Sequence, residues 1–180
     1  MGDIKKLRKK YKTPKHPWQR ERIDKEKVLK ETYGLKNKKE IWKFTSKLKN
    51  FTKQAKKLLR TTSEQSKKEE KELIAKLKKY GLADDKTKVE DILNLTVENF
   101  LDKRLQTKVH RMGLSRSVGQ SRQFITHGHV SISGKKMNSP SYLVKNDDII
   151  TFKESSKLNN PEHPERIQEN KKEKIIENDE

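Results

Sequence analysis

Apolar residues along the chain repeat with helical spacing over most of its length. From Asn37 onward, Ile41, Phe44, Leu48, Phe51, Ala55 and Leu58 recur at intervals of 3, 4, 3, 4 and 3. That period places them on one stripe of an amphipathic helix. The stretch "RTTSEQ" breaks the pattern. A second helix is expected after it, with Ser66 and Glu69 as a capping box, Leu73, Ile74, Leu77 and Tyr80 as its apolar face, and Gly81 as its stop. "VEDILNL" adds short apolar material, and Thr96 is placed to cap the next helix. That helix is marked by Val97, Leu101, Leu105, Val109 and Met112 and ends at Gly113. After the turn "GLSRS", Ser115 or Ser117 caps a further helix, and Ser117 with Gln120 has capping-box spacing. Gly128 ends it. "HVSISG" then alternates, predicting a half-buried strand with Val130 and Ile132 inward and Ser131 and Ser133 outward. Turns at Gly134–Lys136 and around Pro140 lead to a last strand in "DDIITF". The expected fold class is α+β: a helical N-terminal region followed by two helices packed on a small β-sheet.

Composition limits how much of this can fold unaided. Of 180 residues only 29% are hydrophobic and 39% are charged. Ordering costs roughly 1–2 kcal/mol of backbone entropy per residue, so lysine-rich ends need support to fold. The expected organisation is an extended basic arm over 1–19, a helical region over 20–99, the α+β module over 100–160, and a disordered acidic tail over 161–180. In "YKTPKHPWQRERI", Pro14 and Pro17 disfavour helix, and Trp18 can anchor on a folded surface or stack on a base. The chain contains no cysteine, which excludes disulfides and thiolate metal sites. No apolar run reaches the ~18–20 residues of a spanning helix, and "MGDIKKLRKKYK" lacks the apolar core of a secretory signal. The chain reads as cytosolic.

A formal net charge of +19 points to a polyanionic partner, nucleic acid before an anionic membrane. The charge is clustered. Residues 1–60 hold 22 Lys and Arg against 6 Asp and Glu, and residues 101–153 hold 10 against 3. The helix from Asn37 is lysine on almost every outward face. Such like charges at i,i+4 destabilise an unbound helix, so this face is read as facing phosphate. Between Asp102 and Asp147 lie 44 residues without a carboxylate. Within them, at ~100° per residue, Val118, Ser121, Phe124 and Ile125 share one side of a helix. Arg116, Gln120, Gln123 and His127 gather on the other, a ladder of donors with no anion to pair with inside the segment. Arginine suits phosphate, whereas Gln and His also reach sugar hydroxyls and base edges of structured RNA.

The segment "RLQTKVHRMGLSRSVGQSRQFITHGHVSISGKKMNSPSYLVKNDDIITF" resembles the S-four RNA-binding domain. Its Ser115-Arg116, Ser121-Arg122-Gln123, Gly128-His129-Val130, Gly134 and the Pro140 turn carry the likeness. Upstream, "TPKHPW", "YGLKNKKEIWK" and "LNLTVENFLDKRLQTKV" are similar to the archaeal and eukaryotic form of the ribosomal S-four family. The resemblance implies a primary binder of small-subunit ribosomal RNA, a structural constituent of that subunit acting in its assembly and in translation. It implies contact with a multi-helix junction of the 5′ domain and with neighbouring ribosomal proteins, including uS-five. The family's RNA-contacting pattern maps to Arg104, Thr107, Ser115, Arg116, Gln120, Arg122, Gln123, His127 and Lys135, with Lys108 of the acid-free stretch beside them. Arg122 lies off the ladder near the apolar edge, so its share of binding and packing is open.

Many bacterial relatives carry an N-terminal cysteine zinc site, which this chain lacks, so no cofactor or metal is expected. His127 and His129 form an H-x-H pair without enough further ligands for zinc. The S-four domain is also an appendage of enzymes. Residues 1–100 show no phosphate loop and no nucleophile–base signature, so the chain is not expected to be an enzyme. The alternative is a free-standing S-four-domain factor acting on immature or stalled ribosomes.

Overall fold

The structure is a computed structural model and describes residues 9–61, 63–84, 87–160 and 163–166. The chain beyond Pro17 enters helix α1 (Arg20–Thr32), so Arg20–Ile23 of the proline-bearing stretch are helical. Trp18 is 90% exposed. The arm before it lies on the following helix: Tyr11 packs at 6.1 Å from Trp42, and the Lys12 amide donates to Ser46 Oγ at 3.0 Å. Helix α2 (Lys38–Arg60) turns the predicted stripe inward, with Ile41, Phe44, Phe51 and Ala55 buried. Helix α3 (Glu64–Lys79) buries Leu73 and Leu77. Its cap is Ser63, whose Oγ accepts from the Ser66 amide at 3.2 Å, so the helix starts earlier than the Ser66–Glu69 reading placed it. A single 3-10 turn over Asp91–Asn94 leads into α4 (Val97–Asp102). These elements enclose a first core around Tyr33, Phe44, Phe51, Leu77, Ile92 and Phe100, in which Phe51 and Phe100 stack at 5.8 Å.

The second core lies under a three-stranded antiparallel sheet. Helices α5 (Leu105–Arg111) and α6 (Val118–Thr126) pack on strands β1 (Val130–Ile132), β2 (Lys135–Lys136) and β3 (Ile150–Phe152), in the order β2-β1-β3. The register pairs Val130 with Phe152 and Ile132 with Ile150. Leu105, Val109, Phe124, Ile125, Val130, Ile132 and Phe152 fill the interior. The α+β architecture is therefore the expected one, with two departures. The helix read from Val97 to Met112 is two helices, because Arg104 leaves helical geometry and bridges to Leu143, while the Leu105 amide donates to the Tyr142 carbonyl at 2.8 Å. Ser131 takes the face opposite Val130 and Ile132, as the alternation requires, but is buried there rather than exposed, its hydroxyl lying 3.0 Å from Thr151 Oγ1 across the strand pair.

The two cores are stitched by polar groups. Gln106, fully buried, donates to the carbonyls of Gly34 and Val118, both at 3.0 Å. Gly34 sits at φ +54°, and an added Cβ would meet Val118 Cγ1 and Gln106 Nε2 at 3.1 Å, so the close approach requires glycine. Asp102 accepts from the Tyr33 hydroxyl at 2.9 Å and from Arg111 of α5 at 2.8 Å, and the Asn146 amide donates to the Lys79 carbonyl at 3.0 Å. The expected tail over 161–180 lies outside the described residues except for 163–166, which fold back on α6.

Candidate nucleic-acid interface

Helix α6 is held by the local signals that the sequence carries. Ser117 Oγ accepts from the Gln120 amide at 3.2 Å, satisfying one of the donors that a helix start leaves unpaired. Gly128, at φ +76°, turns the chain out of the helix. A Cβ there would fall 2.1 Å from Lys136 Cε, so the glycine lets that lysine cross beside the helix end. With Phe124 and Ile125 buried against the sheet, Arg116, Gln123 and His127 are exposed and Gln120 is half-buried. Lys135 is exposed on β2. These five residues come from α6, the turns at its two ends and the adjoining hairpin.

Two of the ladder residues are engaged by the chain's own C-terminal segment. Arg116 Nη2 donates to the Pro164 carbonyl, and Gln120 Nε2 donates to the Glu165 carboxylate at 2.8 Å. Arg166 anchors the segment from below: its guanidinium lies 5.3 Å from the Phe152 ring and donates to the Asn159 carbonyl at 3.0 Å. A carboxylate and a carbonyl thus occupy the positions where anionic oxygens from another molecule would sit.

The other residues of the family pattern lie deeper. Thr107 is buried, its hydroxyl donating to the Leu101 carbonyl at 2.8 Å. Ser115 is buried, and its hydroxyl meets that of Ser121. Both hold the α4–α5–α6 backbone and have no surface to offer. Lys108 is half-buried beside Lys103 and Arg111; burial and then these two cations hold its ammonium below the ordinary lysine range. His129, also half-buried, meets Phe124 edge-on at 6.3 Å, and its Nδ1 lies 2.9 Å from Ser156 Oγ. Burial, reinforced by His127, His163 and Lys136, lowers its pKa.

Arg104 and Arg122 meet at one carboxylate. The Arg104 side chain is 1% exposed, and its Nη2 reaches Glu40 Oε2 at 2.8 Å. Arg122, 24% exposed, reaches Glu40 Oε1 at 2.8 Å. Burial pushes the Glu40 carboxyl up, but the Arg122 hydrogen bond and the Arg104 charge outweigh it and hold it below its ordinary value. Burial lowers the Arg104 pKa, and Glu40 opposes the shift. Arg122 is therefore tied to a partner 82 positions away, and the structure places it at the seam between the two cores. Sequence reasoning passed over Glu40, although it is the single acid of α2 among nine cations. An isolated carboxylate in a basic helix was the available signal. It also passed over Gln106, an uncharged residue in a basic run.

Among the described residues no group of three or more His, Cys, Asp or Glu is placed to hold a metal ion, and no helix is long and apolar enough to cross a membrane. The S4 domain family model matches residues 103–150, which take in α5, α6, β1 and β2 and end at the first residue of β3. Over 170 residues the chain is 48% identical to the small ribosomal subunit protein uS4 of Methanococcus aeolicus, covering 92% of this chain and 96% of that protein. It is 44% identical to the uS4 protein of Methanococcus maripaludis, covering 92% and 95%. For the uS4 protein of Thermoplasma acidophilum the identity is 46%, covering 92% and 86%. The likeness thus runs well beyond the S4 domain, through the helical region and the seam that joins the two. The chain belongs to the small ribosomal subunit protein uS4 family.

Proposed function

We propose that this protein is a structural, non-enzymatic constituent of the small ribosomal subunit that binds its ribosomal RNA directly and acts in subunit assembly. The observation that carries this reading is the donor-bearing surface of the S4 domain, over which Glu165 of the C-terminal segment folds back. Exposed Arg116, Gln123, His127 and Lys135 stand together on it within 44 residues free of carboxylate. Arginine and lysine neutralise phosphates, and the amide and imidazole groups add hydrogen bonds to sugars and base edges. The lysine face of α2 and the basic arm over 1–19 extend the same positive field, whereas the region over 61–100 carries 8 cations against 9 acids and serves as spacer and support.

The family pattern then divides by role. Arg116, Gln120, Gln123, His127, Lys135 and Lys108 touch RNA. Arg104, Thr107 and Ser115 position them from inside, and Arg122 does both. A multi-helix junction of the 5′ domain and the neighbouring protein uS-five are the contacts this reading assigns, with the ribosome of the cytoplasm as the setting. Family likeness across 92% of the chain favours a subunit constituent over a free-standing S4-domain factor.

The test is binding of the full chain to a small-subunit ribosomal RNA fragment across a salt series. Several neutralised phosphates require log K to fall steeply and linearly with log salt, by roughly 0.7–0.9 per phosphate. Affinity that hardly changes between low and moderate salt overturns the reading. Co-sedimentation with small subunits after a high-salt wash distinguishes a structural constituent from a loosely attached factor.

A further inference from the structure

The turn that leads from the basic arm into α1 is fastened by one guanidinium. Arg22 Nη2 donates to the carbonyls of His16 and Pro17, at 3.1 and 2.8 Å, and its Nη1 donates to Glu26 Oε1 at 2.6 Å. Glu26 is itself buried, and the same oxygen accepts from Trp42 Nε1 of α2 at 2.9 Å. Pro17 adds a fixed φ. The backbone immediately before Trp18 is thus tied to α2 through a buried carboxylate.

The side chain that this mount carries is left in water. Trp18 is 90% exposed and makes no hydrogen bond or ring contact with the described residues. Trp42 shows the contrast: it is half-buried, its N–H donates to Glu26, and its ring meets Tyr11. A lone exposed apolar residue is ordinary on a surface. Here, however, the residue is the one with most area to hide, and the backbone beneath it is held rather than loose. A rigid aromatic already in place loses little entropy on binding, and tryptophans so placed are typical anchors. The surrounding charge indicates the partner. Residues 9–20 hold Lys9, Lys10, Lys12, Lys15 and Arg20 without a carboxylate, and all five are exposed. The nearest acids follow in α1, where Asp24 lies 3.9 Å from Arg20. A protein pocket for this ring would need an acidic rim, whereas cations beside an aromatic face match the phosphates and bases of a nucleic acid. The indole face can reach only a base that has left its helical stack.

We propose that Trp18 is a stacking platform for one unpaired nucleobase of the small-subunit ribosomal RNA, at a loop, bulge or helix end, with Lys12, Lys15 and Arg20 serving the flanking phosphates. The inference rests on the RNA-binding reading and adds a contact of a different kind. The donors of the S4 domain take phosphates, sugars and base edges, whereas the indole takes the face of a base. Arg22 and Glu26 are positioning residues for it, because they hold the turn against α2. The entry to α1 thereby senses where the RNA is single-stranded.

The experiment compares the full-length wild type with W18L and W18F. Leucine keeps an apolar side chain without a π face, phenylalanine keeps a smaller face, and equal thermal midpoints verify folding. The first arm measures affinity for the small-subunit RNA fragment across a salt series. The second follows fluorescence on adding the RNA fragment or inorganic polyphosphate, which carries charge without bases. The chain has two tryptophans, so the difference between wild type and W18F isolates Trp18. Expected are a loss of about tenfold in W18L and of less than about threefold in W18F, with the salt slope unchanged because no cation is removed. Trp18 emission should be quenched by RNA and not by polyphosphate. Wild-type affinity in W18L overturns the platform and leaves the RNA reading intact. Equal losses in W18L and W18F, or equal quenching by polyphosphate, also overturn it, because neither needs a base face. W18L that binds the fragment normally but washes off small subunits gives the ring to a neighbouring protein and overturns it as well. Wild type that binds no fragment at any salt removes the RNA reading and the platform together, before any variant is compared.

Discussion

Replacing Glu40 by Gln removes the one negative charge that holds two guanidiniums together at the seam. Arg104 is 1% exposed and cannot turn to water, and its two remaining nitrogens already lack partners. Removing one member of a buried pair costs about 3–5 kcal/mol, because the surviving charge stays desolvated. Arg122 is 24% exposed and can relax outward, and the Gln oxygen still accepts one bond, so the lower end applies: about 3 kcal/mol of folding free energy. For a chain of this size that amounts to roughly 6–12 °C in Tm. Urea unfolding followed through Trp42, which hydrogen-bonds Glu26 at 2.9 Å on the adjoining helices, reads the loss as a lower midpoint with an unchanged slope. The pH dependence provides a second check. The carboxyl is held below its ordinary value of 4.5 in the folded protein. Its contribution is therefore complete above that value and is lost as pH falls through the folded pKa. The gap between wild type and Glu40→Gln should be flat near neutrality and close in the acid range. A variant within about 0.5 kcal/mol of wild type at pH 7, the size of an ordinary surface substitution, would refute the account.

Arg116→Ala should weaken RNA binding by roughly tenfold, the scale of one charged contact at about 1.4 kcal/mol, with no change in thermal midpoint. Arg122→Ala should lower both affinity and stability, since the same guanidinium bonds Glu40; paired melting and filter-binding curves separate the two, and a change in affinity alone contradicts the seam geometry. Ending the chain at Asn160 removes Pro164 and Glu165 from Arg116 and Gln120 and should strengthen RNA binding a few-fold in the same assay. The tail carries no recognisable motif, so the sequence alone predicts no effect; weaker binding after truncation would make the segment a contact rather than a competitor.

The parts of this molecule that the sequence makes legible are those whose causes lie within a turn or two of the chain. The α2 stripe, the Ser117 cap, the Phe124–Ile125 packing face and the Gly128 stop each depend on neighbours three or four positions away. The break after Lys103 was not legible in that way. It is caused by Leu143 and Tyr142, nearly forty residues downstream, which claim the backbone of Arg104 and Leu105 through an isolated antiparallel bridge and one further hydrogen bond. The same limit governs the interface. The ladder on α6 follows from helical geometry alone, whereas the ion pairs of Arg104 and Arg122 depend on Glu40, which reaches them only once the start of α2 lies beside the S4 domain. The family pattern names both arginines but does not indicate which of its members face outward. The burial of Ser131 was hidden for a related reason: alternation gives the face a side chain takes, not what covers it, and Thr151, its cross-strand partner, lies twenty positions away.

Gln106 bears on how far this architecture can be taken apart. The family boundaries invite lifting out residues 103–150 as a portable cassette for fusion to other proteins. In this chain such a cassette would contain a glutamine whose amide had lost the Gly34 carbonyl, together with Arg104 and Arg122 severed from Glu40. The cut face would be polar and cationic, not a clean apolar boundary that a new neighbour could cover. Transplanting the module therefore requires redesigning its underside, and shuffling it among hosts favours recipients that already present a carboxylate on the adjoining helix.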